Sequence, residues 1–87
     1  VVPRFEVAET EADIDWLASK ISRYEYCAAD TETGGYSGFD FTRDRILCSG
    51  YCVEPGMVYV VPEELIHLTN RIYERATETK FIWHNLN

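Results

Sequence analysis

The sequence predicts an α/β domain, a mixed sheet flanked by helices. Three observations predict it. Apolar runs of strand length occupy residues 24–31, 45–53, 57–61 and 80–84. A Pro55-Gly56 pair separates two of those runs and fits a type II hairpin turn. Apolar residues repeat at helical spacing over residues 11–22 and 63–77. The resulting order is helix, strand, strand, strand, helix, strand.

Residues 4–8 read as a short edge strand ahead of this series. Thr10 then supplies an N-cap, and Asp13 three residues on completes a reciprocal capping pair. Ile14, Leu17, Ala18 and Ile21 share one face of the first helix, with Glu11, Asp13, Asp15 and Lys20 elsewhere. Residues 24–31 are a strand that stays apolar on both faces until Asp30. Residues 34–43 interleave glycines with Tyr36, Phe39 and Phe41 and read as a loop. Residues 45–53 are a second strand, apolar on both sides and expected to be buried on both, hairpinned to a third at 57–61. Pro62 followed by Glu63 and Glu64 opens the second helix, since Pro suits the first turn and acids suit the positive dipole end. Lys80-Phe81-Ile82-Trp83 is the fourth strand. The expected core includes Cys27, Ala29, Ile46, Cys48, Leu68, Ile72 and Ile82.

With 87 residues the chain is one small domain or part of one, and 46% hydrophobic content implies a packed core. No apolar run is long enough to span a bilayer, and Val1-Val2-Pro3-Arg4 is no signal peptide. The net charge of −7 counts against independent nucleic-acid binding, which draws on Lys and Arg, and fits cation binding or plain solubility. The cysteines, Cys27, Cys48 and Cys52, are odd in number and form no C-x-x-C. They read as reduced thiols and point to a cytoplasmic setting. There is no P-loop, dinucleotide-binding fingerprint, zinc spacing or basic run.

The chemistry-bearing segment is Asp30-Thr31-Glu32-Thr33-Gly34-Gly35. Residues two apart on a strand point to the same face, so Asp30 and Glu32 stand together. Oxygen-only donors favour a hard ion, Mg²⁺ or Mn²⁺. The alternative is a solvated strand end. His84-Asn85 follows the last strand and reads either as a functional pair or as a structural histidine; His67 reads as structural. Tyr36, Phe39 and Phe41 either stack on nucleobases or pack their loop onto the core, with Tyr36 the one reserved for stacking. Trp16 and Trp83 are read as packing residues.

Taken together, Asp30-Thr31-Glu32-Thr33 and Phe81-Ile82-Trp83-His84-Asn85 resemble the first two motifs of the DEDD-type 3′–5′ exonucleases. The Pro-Gly turn and the strand ending Val60-Val61-Pro62 resemble the proofreading domain of family-A DNA polymerases in particular, while RNase D and Werner-type enzymes share the plan. The resemblance implies a ribonuclease-H-like fold in which the fourth strand lies parallel to the first of the meander. It implies that Asp30 and Glu32 hold two divalent ions, Mg²⁺ or Mn²⁺, for phosphodiester hydrolysis. It implies that Thr33, Tyr36, His84 and Asn85 contact the single-stranded 3′ end of DNA, with RNA as the alternative substrate. The aspartate that closes the second motif and the whole third motif are absent from the 87 residues. Residues 1–87 are therefore expected to be the N-terminal part of an exonuclease domain, inactive alone, in a bacterial or phage-infected cytoplasm. The remainder of that chain is the expected partner. A truncated, non-catalytic binding module is the competing reading. An open sheet edge beside the fourth strand would favour homo-oligomers.

Overall fold

A computed structural model describes residues 4–34 and 45–84. Among them the elements run β1 (Arg4–Val7), α1 (Glu11–Ile21), β2 (Tyr26–Gly34), β3 (Arg45–Glu54), β4 (Met57–Pro62), a 3₁₀ helix (Glu63–Leu68), α2 (Asn70–Arg75) and β5 (Lys80–Trp83). The five strands form one sheet in the order β1-β4-β3-β2-β5. The pairs β2/β3 and β3/β4 are antiparallel, as the meander requires. β5 runs parallel to β2, with Tyr26 opposite Lys80 and Ala29 opposite Trp83. β1 pairs parallel with β4 and forms the far edge.

Local chemistry sets the element ends. Thr10 is extended, and its Oγ1 accepts from the Asp13 amide at 3.2 Å. The Asp13 carboxylate accepts from the Thr10 and Glu9 amides at 3.1 and 2.8 Å. These bonds to the charged form hold the Asp13 pKa below its ordinary value. Gly56 has φ 83°, the left-handed region a type II turn needs at that position. Thr79 Oγ1 donates toward the carbonyls of Tyr24 at 2.8 Å and Ile21 at 3.1 Å, fastening the end of α1 to the start of β5.

The second helix is not continuous. Residues 63–68 are 3₁₀, and the α-helix spans only Asn70–Arg75. Pro62 offers no side-chain cap, and Thr69 Oγ1 donates back to the Ile66 carbonyl at 2.8 Å. Leu65 and Leu68 stand three apart, so a 3₁₀ turn stacks both toward the core.

One sheet face carries the core. Cys27, Ala29, Tyr51, Tyr59 and Val61 pack there against Ile14, Leu17, Ala18, Ile21 and Ile72. Trp16 packs edge-on to Tyr59 at 5.5 Å, and Trp83 packs against Tyr73 and Phe81. The opposite face is open among the described residues. Burial on both sides therefore fails for β3. Cys48 is only half-buried and Ile82 is 49% exposed, because both project from the open face. Leu68 is also half-buried, whereas Cys27, Ala29 and Ile72 are buried as expected. The Ile46 side chain lies outside the described residues. All three cysteines are free thiols. No described helix is long and apolar enough to cross a membrane.

Candidate active site

β2 delivers Asp30 and Glu32 to the open face, both exposed. Alternation places them with Tyr26 and Ala28 and away from buried Cys27 and Ala29. Across the antiparallel ladder Asp30 faces Gly50 and Glu32 faces Cys48. The register then slips between Glu32 and Thr33, where Thr33 pairs with Ile46. A bulge at that point re-aims the strand end just beyond the second carboxylate.

β5 brings the second segment alongside. The His84 amide donates to the Ala29 carbonyl at 2.9 Å, extending the parallel ladder one step past Trp83. That step sets His84 beside Asp30. The two line a groove of about 370 Å³ together with Glu32, Cys48, Gly50 and Val58. The groove is apolar along β3 and β4 and acidic at the β2 end. Burial pushes the Cys48 thiol pKa up, and the Glu32 and then Asp30 charges push it further. The thiol therefore stays protonated next to the carboxylates at neutral pH.

The structure thus gathers Asp30, Glu32 and His84 at one end of the sheet. The backbone of Thr33 continues β2, but its side chain lies outside the described residues, as do Tyr36 and Asn85. Cys48 and Gly50 are neighbours of the site that sequence reasoning missed. Their place depends on the β2/β3 register, which the 35–44 connection does not announce.

The donor set fits a hard divalent cation in kind, since two carboxylates offer oxygen only. It does not fit in number. Among the described residues no group of three or more His, Cys, Asp or Glu side chains is placed to hold a metal ion.

No family model and no curated protein matches the sequence. Solved structures do match the fold. The catalytic core of RRP6 from Trypanosoma brucei superposes with a TM-score of 0.72 at 9% identity, over 95% of this chain and 23% of that one. A cysteine-to-serine mutant of the same core gives 0.70 at 10% identity, over 94% and 23%. The fold is ribonuclease-H-like. In that frame the five strands and the helices on one face correspond to part of the RRP6 catalytic core. The chain spans about a quarter of the length of the structures it matches (23%).

Proposed function

We propose that this chain is the acid-bearing, N-terminal part of a metal-dependent 3′–5′ exonuclease domain of the DEDD class. One observation carries the reading: Asp30 and Glu32 share one face of the second half of β2, and β5 sets His84 beside Asp30. Asp30 and Glu32 are the residues that would hold divalent cations, Mg²⁺ or Mn²⁺. Such ions, if held there, would supply activation of water and stabilisation of charge on phosphate oxygens. Further carboxylates must come from the rest of the domain, because two do not complete a site.

The remaining roles belong to this chain's own side chains. His84 lines the groove wall and is assigned the orienting of a phosphate or sugar near the acids. Thr33, Tyr36 and Asn85 are assigned to the 3′-terminal nucleotide and its strand. The apolar stretch of the groove suits the flat faces of sugars and bases better than more phosphate, which the net charge of −7 would repel.

The likeness to the RRP6 core, an RNase-D-like exonuclease, favours RNA as substrate. The Pro55-Gly56 hairpin with Val60-Val61-Pro62 favours the polymerase proofreading reading. The full natural chain, given 3′-labelled single-stranded RNA and DNA of matched sequence with Mn²⁺, decides between them. Faster mononucleotide release from RNA supports the RNase-D-like role, and preference for DNA supports proofreading. Failure to cleave either, with Mn²⁺ or Mg²⁺, would leave the non-catalytic binding module.

A further inference from the structure

The place of His84 beside Asp30 depends on the end of β5. That strand is four residues long and lies at the edge of the sheet, with β2 as its partner among the described residues. Its start is fastened by the Thr79 hydroxyl and by the Lys80 amide, which donates to the Glu25 carbonyl at 2.8 Å. Its far end is held by rings. Consecutive strand residues project to opposite faces, so Phe81 and Trp83 reach the core face while His84 projects from the open one. On the core face Phe81 and Trp83 stack at 6.4 Å between ring centroids. Tyr73 of α2 meets both, at 5.0 and 6.0 Å. These separations lie within the about 4.5–7 Å at which aromatic pairs attract. Tyr73 itself stands on a fixed element. Ile72 beside it is buried, and Arg71 donates to Glu11 of α1 at 2.7 Å.

We infer that Tyr73 is a positioning residue: its ring, acting through Trp83, holds the end of β5 so that His84 projects beside Asp30. The inference rests on the role proposed for His84 and adds the support beneath it. A functional side chain keeps its geometry only where packing behind it locks the element that carries it. On a short edge strand that packing comes from the face opposite the site, where Tyr73 and Trp83 lie. The Tyr73 hydroxyl ties α2 to Tyr51 and serves stability, whereas the ring serves placement. The two roles can therefore be separated.

The test uses the full natural chain with Tyr73→Phe, Tyr73→Leu, Trp83→Leu and His84→Ala. Placement is read, without metal or substrate, from hydrogen exchange of the His84 amide, which donates to the Ala29 carbonyl at 2.9 Å. Function is read from kcat/KM for mononucleotide release from a 3′-labelled single strand in Mn²⁺. Both Leu variants should speed His84 exchange at least about tenfold beyond any rise at the amides of β4. His84→Ala should lower kcat/KM about tenfold, the worth of one hydrogen bond to a charged group, and the Leu variants should lower it by about threefold or more. Tyr73→Phe, which keeps the ring, should melt lower yet retain slow His84 exchange and wild-type kcat/KM. Trp83→Leu added to His84→Ala should cause no further loss, because the residue it positions is gone. Should Tyr73→Leu fail to fold, Trp83→Leu and Tyr73→Phe decide. Unchanged His84 exchange or unchanged kcat/KM in the folded Leu variants would overturn the inference. So would losses for Trp83→Leu and His84→Ala that simply add. Wild-type kcat/KM in His84→Ala would refute the role of His84, and the positioning role with it, while leaving the exonuclease reading intact. Absence of hydrolysis by the natural chain would instead refute that reading, and the positioning role would fall with it.

Discussion

Replacing Tyr73 by Phe tests how the sheet is held to α2. The Tyr51 and Tyr73 hydroxyls lie 2.7 Å apart, joining β3 to α2 beneath the strand that bears the acids. Tyr51 is 1% exposed, and Tyr73 is half-buried. Burial raises the pKa of both phenols, so each stays neutral and able to bond. Tyr73→Phe leaves the Tyr51 hydroxyl in the core without its partner, at a cost of about 1–3 kcal/mol. Tyr51→Phe leaves the hydroxyl of Tyr73, the less buried residue of the pair, and should cost less, about 0.5–1.5 kcal/mol. The double variant should lose less than the two single losses added. Ser49 supplies the one relief within the core. Its Oγ is buried and has no hydrogen-bond partner at bonding distance among the described residues, yet its hydroxyl draws the Tyr51 pKa down. Tyr51 turning to Ser49 would soften the Tyr73→Phe loss, so Ser49→Ala added to Tyr73→Phe should deepen it. Urea unfolding followed by tryptophan fluorescence is the assay, since Trp83 lies 6.0 Å from Tyr73. A Tyr73→Phe midpoint equal to wild type, or a smaller loss than for Tyr51→Phe, would refute the reasoning.

Other outcomes follow from the same structure. Ile72→Ala removes a side chain with no exposure and should cost about 2–5 kcal/mol in urea unfolding. Thr10→Ala breaks the α1 capping box and should cost about 1 kcal/mol, seen as a lower melting temperature. Burial pushes the Cys27 thiol from 9.0 to about 11. The native state keeps that proton after the unfolded state has lost it, so stability should fall as pH rises from about 9 to 11, by roughly 1.4 kcal/mol per unit. Cys27→Ala should flatten that slope in thermal melts, leaving the share due to the other raised groups, Cys48, Tyr51 and Tyr73 among them. The 87 residues alone should release no appreciable mononucleotide from a 3′-labelled strand with Mn²⁺.

Elements governed by local chemistry were legible in the sequence. Thr10 with Asp13 marks the start of α1, and Pro55-Gly56 marks the β3/β4 turn, because capping and turn geometry act within a few residues. The same-face placement of Asp30 and Glu32 follows from strand alternation alone. What depends on distant neighbours was not legible. Apolar residues on both sides of β3 show that it can be covered, not that it is, so Cys48 on β3 and Ile82 on β5, expected in the core, stand at the open face. The break at Thr69 was hidden because Leu65, Leu68 and Ile72 satisfy a helical period while Leu65 and Leu68 equally satisfy a threefold one. Gly50 and Cys48 join the site only through a register that the 35–44 segment leaves unspecified.

The central claim is that Asp30 and Glu32 form the metal-holding acids of a 3′–5′ exonuclease. The most direct test compares the full natural chain with its Asp30→Ala variant for mononucleotide release from a 3′-labelled single strand in Mn²⁺. The account predicts hydrolysis by the natural chain and loss of most of it in Asp30→Ala, with metal-free melting of the variant unchanged. Hydrolysis that survives Asp30→Ala would contradict the assignment of the motif.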